Sequence, residues 1–164
     1  MSRLILFLFL LSCSTSALAQ DGTSLLPMIE RESKEKAPDW IIEHNSATAR
    51  GVMMSWRSGE GPARLVLMIA DSSRQADCWY KGVEPRGQEV IRARGTRTKL
   101  RGFGVDAFFA RDFMKKDWMV LGFRRGKVFA QIYAPTEAAV RMFAQLVYKQ
   151  IIAQSNKRLQ LTAR

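Results

Sequence analysis

The alternation of apolar and polar positions changes along the chain. Leu4 to Leu11 is an unbroken apolar run with no polar side. Gln20 to Asp39 is mostly polar, with a short apolar cluster, Leu25-Leu26-Pro27-Met28-Ile29, and then the charged run Glu30 to Lys36. Pro27 and Pro38 bracket this segment, which reads as a short helix or a loosely ordered lead-in. From Ala49 the pattern turns to strands. The runs RGVMMSWRS (50–58) and ARLVLMIAD (63–71) flank the turn residues Ser58-Gly59-Glu60-Gly61-Pro62, which predicts a hairpin with a loop of that length. In the second run Leu65, Leu67 and Ile69 share one side and Val66, Met68 and Ala70 the other, so both sides can be covered.

Asp71-Ser72-Ser73 offers N-cap residues for a helix through about Lys81, stopped by Gly82, with Ala76, Trp79 and Tyr80 as its apolar side. Further on, GFGVDAFFARDF (102–113) reads as a turn leading into a strand. Met119 to Phe123 then pairs with Val128 to Tyr133 around Arg124-Arg125-Gly126-Lys127, where Gly126 supplies a positive φ. Last comes a helix opened by Pro135-Thr136-Glu137. Val140, Phe143, Val147 and Ile151 recur at three- and four-residue steps, widened by Ala144 and Leu146.

Hairpins without a βαβ rhythm define an α+β fold: an antiparallel sheet of about 4–6 strands, helices on one face, and a long C-terminal helix. The expected organisation is a leader over 1–19, a polar lead-in over 20–48, one domain over 49–154 and a disordered tail over 155–164.

The leader carries the prediction of compartment. Arg3, the apolar run and Ala17-Leu18-Ala19 stand in the order of a signal peptide with an A-x-A cleavage site. The run is far short of the ~20 residues of a spanning helix. The expectation is a periplasmic or secreted protein beginning at Gln20. The alternative is lipid anchoring, since Leu10-Leu11-Ser12-Cys13 resembles a bacterial lipobox that would be acylated at Cys13. Either route leaves Cys78 as the one cysteine available for pairing, so no intrachain disulfide is expected. Cys78 itself reads as a buried thiol beside Trp79.

The residues GFGVDAFFARDF, DWMVLGFRRGKVFAQIYA and TEAAVRMFAQLVYKQI resemble the C-terminal half of small exported bacterial α+β domains. Gly104, Asp106, Ala107, the hairpin and Ala144 fall at the matching places. The resemblance implies a fold like that of the PsbP and Mog1 proteins and an accessory or ligand-holding role. It carries over no functional residue. The tail SNKRLQLTAR (155–164) resembles integron gene-cassette read-through, which implies something about gene origin and nothing about chemistry.

Candidate chemistry is sparse. His44 is the single histidine. With Cys78 it makes too few ligands for a zinc site of histidine and cysteine, and no nucleophile elbow accompanies it. The expectation is no catalytic residue, no metal and no cofactor. Asp71 reads as a helix cap and Asp106 as an aspartate bonded to its own turn. Trp40, Trp56, Trp79 and Trp118 read as core or core-edge anchors. No phosphate-loop spacing occurs.

One feature resists a bland reading. The chain has 26 Lys and Arg against 15 Asp and Glu, a net charge of +11. Five of those cations fall in IRARGTRTKLRG (91–102), which has no acid. In an extended chain Arg92 and Arg94 share one side. Arg97, Lys99 and Arg101 share a side again after Gly95, where a bulge can shift the register. Inert surfaces usually mix both signs. The expected function is therefore a non-enzymatic, exported domain that binds an anionic lipid, a glycan or an acidic protein through these five residues. The alternatives are an envelope hydrolase using a pair of carboxylates, or a protein inhibitor or stress-tolerance factor. Nucleic acid would match the charge, but the leader and the lack of a nucleic-acid-binding motif argue against it.

Overall fold

A computed structural model describes residues 21–83, 102–103, 106–111 and 117–162. In chain order the elements are α1 (Gly22–Lys36), β1 (Ile41–Thr48), β2 (Gly51–Ser58), β3 (Gly61–Ile69), α2 (Ser73–Val83), β4 (Ala107–Arg111), β5 (Met119–Arg125), β6 (Val128–Ala134) and α3 (Glu137–Thr162). The fold is α+β. All six strands join one antiparallel sheet in the order β1-β2-β3-β6-β5-β4. The sheet is thus two three-stranded meanders joined along β3 and β6.

Strand alternation sorts the side chains onto two faces. Val52, Met54 and Trp56 of β2, Ala63, Leu65, Leu67 and Ile69 of β3, and Val128, Ala130, Ile132 and Ala134 of β6 enter one core with α1 and α3. Helix α1 brings Leu25 and Ile29, four residues apart. Helix α3 brings Val140, Phe143, Val147 and Ile151, all 0% exposed. Phe143 sits at the centre of this layer. Its ring lies 4.3 Å from that of Trp56, stacked, and 5.1 Å from that of Trp40, edge-on. Full burial of side chains of this size contributes about 1.5–3 kcal/mol each.

The long C-terminal helix and its stripe match the sequence pattern. The one-sided placement of helices holds for α1 and α3, whereas α2 takes the opposite face. There Tyr80 packs with Phe108, Ala110, Val120 and Phe129 in a second, smaller core. Phe108, Ala110, Val120, Phe129 and Tyr133 lie on that side, so β4, β5 and β6 need cover on both faces. Gly122 is part of this layer. The Phe108 ring lies directly over it, and a Cβ there would collide with the ring.

Four local expectations change. The lead-in is part of the domain: Asp21 caps α1 by accepting from Thr23 N at 2.9 Å, and Ile41–Thr48 forms an edge strand. That strand was hidden because an edge strand open to water needs no apolar alternation. The turns are tighter than expected. The β2–β3 turn leaves only Gly59 and Glu60 between strands and the β5–β6 turn only Gly126 and Lys127, with Gly61 at φ +116° and Gly126 at φ +58°. Helix α3 continues through Thr162, into the segment read as a tail. Its Gln154 is 6% exposed and donates to Ser24 Oγ at 2.5 Å, which ties this end to α1. Cys78 is an exposed free thiol, because α2 turns Ala76 and Tyr80, one helical turn apart, toward the sheet.

Candidate functional site

Arg92, Arg94, Arg97, Lys99 and Arg101 lie outside the described residues, as do Cys13 and the leader. The structure does show what stands on either side of the basic strip. Upstream is α2, held on the small core by Tyr80, whose ring centroid is 5.9 Å from Phe108 and 6.4 Å from Phe129. Downstream are Gly102, with φ +99°, and Phe103, which is 1% exposed. The Phe103 ring is 5.7 Å from Phe123 and 5.6 Å from Tyr148, in the large core. The two flanks are therefore anchored on opposite faces of the sheet.

Arg124 joins α2 to the start of β4. Its backbone N–H donates to Asp106 O at 2.8 Å, and its guanidinium pairs with the Asp106 carboxylate. Its Nε lies 3.8 Å from Asp77 Oδ1 of α2 and makes no hydrogen bond, so that contact is ionic alone. Asp77 Oδ2 in turn meets Lys81 Nζ at 2.7 Å. The Lys81 hydrogen bond and charge, aided by Arg124, hold the Asp77 carboxyl below its ordinary range, and Asp77 holds the Lys81 ammonium above its own. Charge alternates along Lys81, Asp77, Arg124 and Asp106. A general acid needs the reverse, a carboxyl raised toward neutrality. Asp77 and Asp106 thus act as counterions of one arginine.

Asp106 is the ion-pair partner of Arg124 at the start of β4. Arg124 is half-buried and charge-compensated. Arg125 is engaged as well, lying 5.5 Å over the Tyr148 ring and donating to its hydroxyl at 3.0 Å. Asp71 does not cap α2. Ser72 does, its Oγ accepting from Gln75 N at 3.1 Å, while Asp71 pairs with Arg50 at 3.4 Å. No local pattern marks the clasp, because Asp77, Asp106 and Arg124 are far apart in the chain and meet only through α2 packing and the β4–β5 register.

The remaining candidates are dispersed. His44 is exposed on β1 next to a register shift. Trp40 and Trp56 are core residues, while Trp79 and Trp118 are half-buried. Among the described residues no group of three His, Cys, Asp or Glu is close enough to hold a metal ion. No described helix is long and apolar enough to cross a membrane.

A second surface went unread in the sequence. Helix α2 packs chiefly on β5 and β6, its small core reaching β3 at Met68. Over β1–β3 the same face carries Met53, 60% exposed, with Val66, its neighbour in register, and Met68 one pair further along. Arg64 and Arg57 follow on the same face. Arg64 lies 5.8 Å over the Trp118 ring, and Arg57 pairs with Glu43. Ile41, 72% exposed, is opposite Arg57. Met53-Met54 was the available sign: adjacent strand residues point to opposite faces, so one of two neighbouring methionines must face away from the core.

No family model matches the chain, and no curated protein matches it. Among solved structures it is similar to a GTP binding regulator from Thermotoga maritima. The identity is 13%, the match spans 76% of this chain and 85% of that one, and the TM-score is 0.49. A likeness of this degree carries no functional inference.

Proposed function

We propose that this protein is an exported, non-enzymatic binding domain that holds an anionic envelope component, a lipid headgroup or acidic glycan, through Arg92, Arg94, Arg97, Lys99 and Arg101. The observation that carries this reading is the acid-free run of cations within the connection between α2 and β4. The described acids nearest to it in sequence, Asp77 and Asp106, are matched to Lys81 and Arg124. Both flanks are fixed, which lowers the ordering cost of gripping a ligand. A ligand-holding role of the kind implied by the resemblance to PsbP and Mog1 proteins fits the same reading.

Replacing all five cations by Gln tests the proposal in a vesicle co-sedimentation assay with phosphatidylglycerol. Each cation near an anionic surface contributes about 1 kcal/mol. The five together therefore correspond to roughly a thousandfold or more in affinity. The variant should fold normally, and salt should weaken the parent in the same direction. Arg125→Gln with Lys127→Gln is the control, with Arg124 left in place to preserve the clasp. Equal loss per charge in both variants would show diffuse attraction. Absence of binding by the parent protein to both vesicles and acidic glycan would end the proposal. Intact mass of the exported protein should begin at Gln20, whereas an acylated Cys13 terminus would place it on a membrane surface.

A further inference from the structure

We infer that the β1–β3 side of the α2 face, which no described helix covers, is a docking surface for an acidic amphipathic helix of a partner protein. Two observations on this face carry the inference, and neither depends on the basic strip. The first is exposed apolar surface. Met53 and Ile41 are the exposed large hydrophobic residues of the described chain, and the β1–β2 register puts both on this face. Half-buried Val66 pairs with Met53 across β2–β3, and Met68, one pair further along, packs against the edge of the small core. The same strands bury their alternate residues completely on the other side, so the strand pattern does not require these positions to be apolar. Exposed apolar surface rimmed by polar residues marks interaction sites.

The second observation is charge. Arg57 and Arg64 border the apolar patch, and Glu43, paired to Arg57, is the one acid among the described residues of β1, β2 and β3. Arg64 lies over Trp118, so its stem and ring add a further flat surface beside the patch. A second copy of this chain, with its net charge of +11, would be repelled. A partner with acidic flanks would be attracted and oriented.

The dimensions select a helix. Three strands at about 4.8 Å spacing, with their side chains, span roughly one helix diameter of about 10–12 Å. Helix α2 occupies the neighbouring ground on the same face and shows that a helix packs there. An incoming helix would lie beside it, its apolar stripe on Met53, Val66 and Met68 and its carboxylates on Arg57 and Arg64.

The test is fluorescence anisotropy with two synthetic helices added to the full mature protein. One has a leucine stripe flanked by glutamates, and the other has lysines in place of the glutamates. The glutamate helix should bind at least about tenfold more tightly than the lysine helix. Met53→Glu should remove about tenfold or more of that affinity. Because Met53 is exposed, the change should leave the circular dichroism spectrum intact. Arg64→Glu should reduce or reverse the preference between the two helices. The variant with all five strip cations replaced by Gln should retain the Met53 sensitivity, which separates this surface from the anion-binding proposal. Equal binding of the two helices, or binding indifferent to Met53→Glu, would refute the inference. So would a concentration-dependent increase in mass that Met53→Glu abolishes, which would assign the face to a second copy.

Discussion

Phe143→Ala offers the sharpest check on the packing. Phe143 is fully buried between Trp56 and Trp40, with ring separations of 4.3 Å and 5.1 Å. Truncating a buried Phe to Ala costs about 3–5 kcal/mol through lost transfer and the cavity left behind. Domains of this size are stable by only about 5–15 kcal/mol, so the variant should fold with a much reduced margin. Phe143→Leu keeps most of the apolar volume and loses chiefly the two ring contacts. At about 0.5–1.5 kcal/mol each, these predict a loss of about 1–3 kcal/mol. Urea denaturation followed by tryptophan fluorescence reports both. With a slope near 2 kcal/mol per molar, the alanine midpoint should fall by roughly 1.5–2.5 M at unchanged slope. An alanine variant within about 1 kcal/mol of the parent would refute the placement of α3. A leucine variant as damaging as alanine would refute the apportionment between volume and ring contacts.

Three further outcomes are expected. Gly122→Ala should lower stability by about 1–3 kcal/mol in thermal melts, because its methyl meets the Phe108 ring, and Phe108→Leu in the same chain should recover part of the loss. Asp77→Asn should destabilise at neutral pH and lose its effect in acid. The Asp77 carboxyl is depressed in the folded state, so its contribution is fully present above its unfolded value near pH 4 and disappears as pH falls through the lower folded value. Urea midpoints of parent and variant at pH 7 and pH 2.5 check the sign, and a gap that widened in acid would contradict the clasp. Removing Ser155 to Arg164 should cost less than about 1 kcal/mol, since Asn156, Lys157 and Gln160 are exposed, whereas Gln154→Ala should destabilise through its bond to Ser24.

Legibility in the sequence followed burial. Strands β2, β3, β5 and β6 and helix α3 were readable because each pairs an apolar face with turn or cap residues, and the ring environment of Phe143 makes its position in the stripe costly to change. Strand β1 was not, because Ile41 to Thr48 faces water along most of its length and carries no alternation. The side of the sheet taken by α2 could not be read from α2 itself. It was implied by Phe108, Val120 and Phe129, which are apolar at positions whose neighbours are also buried. The clasp was invisible because ion pairs between distant residues leave no period. The basic strip was legible as composition alone, since a run of cations states a charge and leaves the fold around it open.

The seam between the two meanders has a consequence for how much the connection between α2 and β4 can vary. Pairing β3 with β6 joins residues as distant in sequence as Ile69 and Val128, so the chain closes a long loop before that ladder gains a single hydrogen bond. The entropy of closing a loop grows only logarithmically, at about 0.6 kcal/mol for each doubling of length. Residues added to or removed from a loop already this long change the closure entropy very little. The paired strands and the Arg124 clasp hold the ends in place whatever the length between them. The connection that carries the cations is therefore the place where this architecture can lengthen, shorten or change its charge while the sheet and both cores keep their stability.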